Sequence, residues 1–341
     1  MRKLRVLVLM HEDLVPPDTL KGHTEQEILE WKTEFDIVNT LGEMGHDTLP
    51  LGVRDELSVI RKALNDYKPH VTFNLLEEFH GVGVYDQHIV AYLELKRQRY
   101  TGCNPRGLML SRDKALGKKL LSYHRVPTPK FVAFPIGKKV SRPKRLGFPL
   151  LVKSLVQDAS MGISQASIVN NDEKLAERVK FIHENVQSDA IAEQYIEGRE
   201  LYVGVLGNRR LQTLPVWEML FTNAPNGMPN IATQKIKWDA DYQKKIGIET
   251  RAAENLPSGT EERIAKLCKR VYRVLSMSGY GRMDLRLTPE GRILVLEANP
   301  NPNLSFGEDL AESAAKAGIS FEALLHRIIN LGMRYQAAWM V

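Results

Sequence analysis

The sequence predicts an α/β protein in three parts, an open parallel sheet at the N-terminus followed by two further α/β units. Three observations lead there. Apolar runs alternate with helical segments from Leu4 to Cys103, the pattern of a parallel sheet with helical crossovers. At 341 residues the chain is two or three times as long as an ordinary domain of ~150 residues. A hairpin pattern from Met283 to Ala298 marks the third part, and its polar residues fall on one face.

Taken in order, Leu4 to Met10 reads as a buried strand, with a polar loop behind it and a helix from about Glu25 to Leu41. Gly42 and Gly45 lead into a strand at Asp47 to Pro50. A helix at Leu57 to Tyr67 precedes strand Val71 to Asn74, and a helix near Gln87 to Arg97 precedes strand Tyr100 to Cys103. Ligands of such sheets bind at the carboxyl ends of the strands, so the loop carrying Glu77, Glu78, His80, Gly81 and Gly83 is a candidate substrate edge.

The second part opens with a helix from Ser111 to about His124, broken by Pro127 and Pro129. Phe148 to Lys153 is a strand, Gln157 to Gly162 a loop of small residues, and Ile163 to Val169 the returning strand. A helix at Asp172 to Val186 precedes a strand at Ala190 to Ile196. The third part has a strand at Glu200 to Leu206 and a long loop, Thr222 to Gln234, whose length suggests a lid. A helix from Glu261 to Met277, the hairpin, and a helix from Ser320 to Met333 complete the chain.

Composition narrows the function classes. Hydrophobic content of 43% and charged content of 26% are those of a soluble globular protein. The net charge of +6 is mild and spread out, so it gives no reason to expect nucleic-acid binding. Cys103 and Cys268 are far apart and lack metal-type spacing, which favours free thiols in a reducing compartment. The first apolar run is short and followed by His11-Glu-Asp13, a strand and not a signal peptide. No run approaches the ~20 apolar residues of a membrane helix, so the expected location is cytoplasmic.

The hairpin carries the chemistry. Asp284 lies on its first strand; Glu297 and Asn299 end the second, two residues apart and on one face. Two carboxylates and an amide oxygen make a hard-oxygen set suited to magnesium with substrate phosphates. The alternative is a solvated acidic face, which ranks lower because Glu297 sits among Val295, Leu296 and Ala298 and needs a partner there. Lys153, at the end of an apolar strand before the small-residue loop, suits phosphate oxygens. A snorkelling surface lysine explains that segment equally well. Glu193, the backbone of Tyr195 and Ile196, and Glu200 could hold an adenine and a ribose, or form an ordinary strand.

The order of these motifs resolves them. Asp113-Lys114, Val152-Lys153, Glu193-Gln-Tyr-Ile-Glu-Gly-Arg-Glu200, Lys237, Gly281-Arg-Met-Asp284 and Leu296-Glu-Ala-Asn299 together resemble the ATP-grasp superfamily, in its D-alanine–D-alanine ligase branch. Tyr100-Thr-Gly102, His80-Gly-Val-Gly83 and Ala314 to Ser320 extend the resemblance over nearly the whole chain. It implies an ATP-grasp fold: an N-terminal substrate domain over 1–104, then two α+β subdomains, 105–196 and 197–341, clasping ATP. It also implies Lys114, Lys153, Ser160 and Leu296 at the nucleotide, Glu193 and Ile196 at the adenine, and Glu200 at the ribose. Lys237, beside Trp238, would grip the γ-phosphate. Asp284, Glu297 and Asn299 would bind two Mg2+ ions, with Mn2+ as a substitute, and Arg282 would stabilise the oxyanion. The implied reaction joins a carboxylate to an amine through an acyl phosphate, by positioning and charge neutralisation. The implied partners are ATP and small amino-acid or peptide-like substrates, with no nucleic acid and no membrane, and the resemblance suggests a homodimer.

The chain departs from this pattern at both substrate ends. Met10 to Pro17 replaces a Gly-Gly-x-Ser-x-Glu-Arg type loop, leaving Glu12 to stand in for the donor-site glutamate. Gln157-Asp-Ala-Ser160 replaces Glu-Gly-Ser-Ser, and Ser154 replaces a proline. Asn299 to Ser305 departs from Asn-x-x-Pro-Gly-Met-Thr. Glu308-Asp309 replaces a Ser-Leu pair that helps hold the acceptor carboxylate. Two acids there would repel a carboxylate, so the acceptor lacks one or carries a cation; equally, the pair could cap the next helix. His80 touches the donor substrate on this reading, or is a loop histidine with no role. The alternatives to a ligase are a non-catalytic, regulatory ATP-binding protein of the same fold and a nicotinamide-binding protein. The latter suffers because no Gly-x-Gly-x-x-Gly follows the first strand.

Overall fold

Three sheets organise the chain in the computed structural model, which describes residues 3–157, 163–225, 231, 233 and 239–337. The first has the order β2-β1-β3 from β1 (Arg5–His11), β2 (Asp47–Val53) and β3 (Val71–Asn74), all parallel. Val6 to Met10 are fully buried, as a strand covered on both faces must be. The crossovers are α1 (Glu25–Glu43), opened by a Thr24–Glu27 capping box, and α2 (Leu57–Tyr67). α3 (Asp86–Leu95) follows β3. The fourth strand expected at Tyr100 to Cys103 is reduced to one bridge, Thr72 to Tyr100. Gly102 at φ 90 turns the chain away, and Asn104 caps the next helix.

That helix, α4 (Pro105–Arg112), was not expected, and the helix predicted from Ser111 to His124 is only α5 (Lys114–Tyr123). Asp113 separates them. It is extended (ψ 95) and its carboxylate accepts from Leu116 N, so it starts a new helix where the pattern suggested continuity.

The central sheet is antiparallel, in the order β4-β7-β5-β6, from β4 (Phe131–Phe134), β5 (Leu150–Ser154), β6 (Ile168–Val169) and β7 (Ala190–Gln194). The sequence reading missed β4, a four-residue strand between prolines. It also overextended β6, because Gln165–Ser167 forms a 3-10 turn in which Ser164 N donates to Ser167 Oγ. α6 (Asp172–Phe181) packs on this sheet, and Leu150, Val152, Leu175 and Val179 form a separate core.

The third sheet runs β11-β10-β8-β12-β13, with β9 beside β8, all antiparallel. Its strands are β8 (Arg199–Leu206), β9 (Gln212–Thr213), β10 (Trp217–Phe221), β11 (Ile248–Ala252), β12 (Tyr280–Leu287) and β13 (Ile293–Asn299). Between and after them come α7 (Ala240–Ile246), α8 (Thr260–Val274), α9 (Asp309–Lys316) and α10 (Phe321–Arg334). One hydrophobic cluster joins Leu7 and Leu9 of β1 with Val203, Ile264, Met283 and Val295, so the first and third sheets share a core. α10 joins a second shared cluster through Leu324 and Ile328, beside Val6, Phe73 and Leu206. Gly332 makes the approach of α10 possible, since a Cβ there would lie 2.3 Å from the Tyr100 carbonyl oxygen. Cys103 and Cys268 are both buried and free. Among the described residues no helix is long and apolar enough to cross a membrane.

Candidate active site

The hairpin forms as its sequence requires. Thr288 N donates to the Arg292 carbonyl and Gly291 N to that of Thr288, closing the turn. Arg282 pairs with Asn299 and Asp284 with Glu297, so four polar residues share one face while Met283 and Leu285 are buried on the other. A bulge after Asp284 shifts the register before Leu285.

Arg282 grips Asp284 with both arms of its guanidinium, Nε to Oδ1 at 2.8 Å and Nη2 to Oδ2 at 3.0 Å. Its remaining nitrogen lies 3.5 Å from Asp309 Oδ2, and its plane sits 4.7 Å from the centre of the Tyr202 ring. Burial opposes the charge on Arg282, but Asp284 and then Asp309 outweigh it and hold its pKa above the ordinary value. Asp309 is thus drawn to Arg282 in the first turn of α9, while the Glu308 side chain is exposed and makes no capping hydrogen bond.

A second charged chain crosses from the central unit to the hairpin. Lys153 Nζ lies 3.4 Å from Glu193 Oε1 and 3.5 Å from Glu297 Oε2, linking β5 and β7 to β13. Burial opposes its charge, yet the two carboxylates raise its pKa overall. Lys118 Nζ lies 3.2 Å from the other oxygen of Glu193 and donates to the Leu296 carbonyl at 2.7 Å. Burial lowers the Lys118 pKa; Glu193 only partly restores it, and Lys153 adds to the lowering. Thr128 Oγ1 donates to the Val295 carbonyl at 3.0 Å, fixing the same edge.

Lys118 was missed by the sequence reading, although a signal existed. Lys114, Lys118 and Leu121 are spaced i, i+4 and i+7 on the buried stripe of α5. Lys114 Nζ donates to the Gln157 carbonyl at 2.8 Å, at the root of the small-residue loop. Ser160 in that loop, positions 226–230, 232 and 234 of the expected lid, and Lys237 and Trp238 just after it lie outside the described residues.

Glu200 faces into the third sheet. Arg286 Nη2 donates to its Oε2 at 2.8 Å, and the Tyr202 hydroxyl donates to its Oε1 at 2.8 Å. Arg286 also reaches the Gly198 carbonyl at 3.0 Å. Gly198 is required at this crossing, since a Cβ there would lie 2.2 Å from the Leu287 carbonyl oxygen. Ile196 is half-buried between β7 and β8.

The carboxyl ends of the first sheet gather the other expected residues. Glu12 pairs with Arg54, which also holds Asp13 at 2.8 Å; His11 Nε2 lies 3.3 Å from Glu78 Oε1. His80 is 70% exposed, at φ 57, with Nδ1 3.9 Å from Asp55. Arg112 anchors this loop from below, donating to Asp86 at 2.6 Å and to the Glu77 carbonyl at 3.3 Å. On the other side, α1 holds the segment after the hairpin: Thr33 Oγ1 donates to Asn303 Oδ1, and Lys32 Nζ to the Phe306 carbonyl.

The donor set suits a hard divalent cation, with two carboxylates and one amide oxygen on a single face. Asn299 Oδ1 accepts from Asn301 N at 2.9 Å, which fixes the orientation of the amide. No group of three or more His, Cys, Asp and Glu side chains is gathered for a metal among the described residues, so a cation here would need Asn299 and substrate oxygens.

Comparison with known proteins agrees with this architecture. The family described as D-ala D-ala ligase C-terminus matches residues 120–330. The chain is 33% identical to a D-alanine--D-alanine ligase of Bordetella petrii over 74% of this chain and 73% of that protein. It is 30% identical to the uncharacterized protein y4sG of Sinorhizobium fredii, over 87% and 86% of the two chains. The fold resembles that of the ATP-complexed D-alanine--D-alanine ligase from Bacillus anthracis, with a TM-score of 0.75 at 22% identity over 97% of this chain and 98% of that one. With its hairpin, its charged chain between two sheets and a match over more than half its length, the chain belongs to the D-alanine–D-alanine ligase family of ATP-grasp ligases.

Proposed function

We propose that this ATP-dependent, C–N-bond-forming ligase binds ATP between the central and third sheets and joins a carboxylate to an amine through an acyl phosphate. The observation that carries this reading is the contact of Lys153 with both Glu193 and Glu297 across two sheets. It brings a phosphate-binding cation to the edge of an oxygen-rich hairpin.

In this reading Lys114, Lys153 and Ser160 hold the phosphates, joined by Lys118, which the sequence did not suggest. Glu193, Ile196 and Leu296 line the adenine side, and Glu200 meets the ribose. Asp284, Glu297 and Asn299 hold Mg2+, which neutralises phosphate charge when bound. Lys237 closes on the γ-phosphate. Arg282, held rigid by Asp284 and Asp309, presents its charge to the oxyanion formed when the amine attacks. Glu12 and His80 face the donor carboxylate, and Glu308 faces the acceptor. The chain divides near 104 and 196 and works in the cytoplasm, as a homodimer. The arginine clamp and the two-sheet cleft support a catalyst over a non-catalytic nucleotide sensor, which has little use for an oxyanion donor.

The test is phosphate release from Mg-ATP with a panel of D- and L-amino acids, dipeptides and polyamines, repeated with Asp284→Ala. Release that depends on one carboxylate–amine pair and is lost in the variant is expected. Release independent of any acceptor, or unchanged in the variant, would overturn the reading.

A further inference from the structure

An open groove of about 1080 Å³, its arginines exposed, lies where the first unit, the third sheet and the end of α10 meet, and it shares no residue with the active site above. Arg106, Arg209, Arg210, Arg273 and Arg334 line it, against one carboxylate, Glu94. Glu94 is already engaged, accepting from the Tyr100 hydroxyl at 2.6 Å. Of the five arginines, Arg209 donates to Gln336 at 2.7 Å, while the other four side chains have no hydrogen bond or ion pair among the described residues.

The floor beneath the arginines is fixed. Asn208 donates to the Leu331 carbonyl at 3.0 Å and accepts from Gly279 N at 3.0 Å; the Tyr272 hydroxyl donates to the Gly207 carbonyl at 2.9 Å. Asn104 Nδ2 donates to the Ser276 carbonyl at 2.7 Å, tying the first unit to the third. A rigid concave floor under clustered guanidinium groups focuses positive potential, and guanidinium forks match phosphate oxygens.

We propose that this groove binds a small polyanion carrying two or more phosphoryl groups, at a site separate from the active centre. Its volume is that of a site for a nucleotide-sized molecule, well beyond a single inorganic anion. The arginines come from α4, the β8–β9 turn, α8 and α10, so an occupant would bridge α4 and elements of the third unit.

The experiment is calorimetric titration of inorganic tripolyphosphate into the full chain, wild type and variants, at low and moderate salt. Lys114→Ala with Lys153→Ala weakens the active site and should retain groove binding. Arg210→Ala with Arg273→Ala should weaken that binding by roughly tenfold or more while ATP binding persists. Arg106→Ala with Arg334→Ala provides a second pair, should the first fail to fold. Loss of all tripolyphosphate binding in the lysine variant would overturn the proposal, as would unchanged affinity in the foldable arginine variants. Binding of a single-stranded oligonucleotide without tripolyphosphate binding would overturn it as well.

Discussion

Lys118 Nζ lies 3.2 Å from Glu193 Oε2, inside a charged chain that continues through Lys153 to Glu297. Lys118 and Glu193 are both 3% exposed at the side chain, so neither charge can turn to water for compensation. Lys118→Met removes one of the two cations beside a buried carboxylate and leaves Lys153, so the cost falls below the roughly 3–5 kcal/mol of a fully broken buried pair. Thermal melts and steady-state kinetics should show a lower melting temperature and a KM for ATP raised at least roughly tenfold. Unchanged values in both would show that Glu193 does not depend on Lys118.

Glu200 is held from two sides, by Arg286 and by Tyr202. In the proposed reading, where Glu200 meets the ribose, Arg286→Met should leave that carboxylate poorly oriented. The expected result is a KM for ATP raised several-fold, about 1 kcal/mol, with kcat retained. Arg286→Lys should restore the charge and part of the affinity. An equal fall in kcat and kcat/KM would instead place the loss in the transition state.

Asp309 lies 3.5 Å from Arg282, and in the proposed reading its negative charge falls on the acceptor side. Asp309→Asn should shift preference toward acceptors that carry a carboxylate, by about tenfold in relative kcat/KM against their amides. Competition assays with matched amino acids and amino-acid amides measure this ratio. An unchanged ratio would show that Asp309 serves only to position Arg282.

Glu34 in α1 is 5% exposed, and burial raises its pKa from 4.5 to about 7. The folded chain therefore favours the neutral carboxyl. Its contribution to stability is intact below pH 4.5 and is lost as pH rises through 7. A shift of this size corresponds to roughly 3 kcal/mol. Glu34→Gln should match the wild type near pH 4.5 and exceed its stability at pH 8, as denaturant melts at the two values would show. A variant less stable than wild type at pH 8 would contradict this.

Much of the architecture was legible in the sequence. α2 and β3 fall at Leu57–Tyr67 and Val71–Asn74, where the periodicity places them. The hairpin was legible because turn residues and strand alternation are local signals. The errors arose where a side chain competed with the backbone: Asp113 splits a helix, and Ser164 and Ser167 curl a strand into a turn. β4, β10 and β11 were missed because short strands take their stability from neighbours far along the chain.

The sequence by itself determined the family, the α/β alternation and the one-face grouping of Asp284, Glu297 and Asn299, since each depends on residue type and spacing along a strand. Only the tertiary structure decided which charges neutralise one another. Lys118 reaching Glu193, Arg286 reaching Glu200 and Asp309 reaching Arg282 join residues 75, 86 and 27 positions apart. A direct ion pair needs its charged atoms within about 4 Å, so pairing is set by how the sheets pack and not by order along the chain.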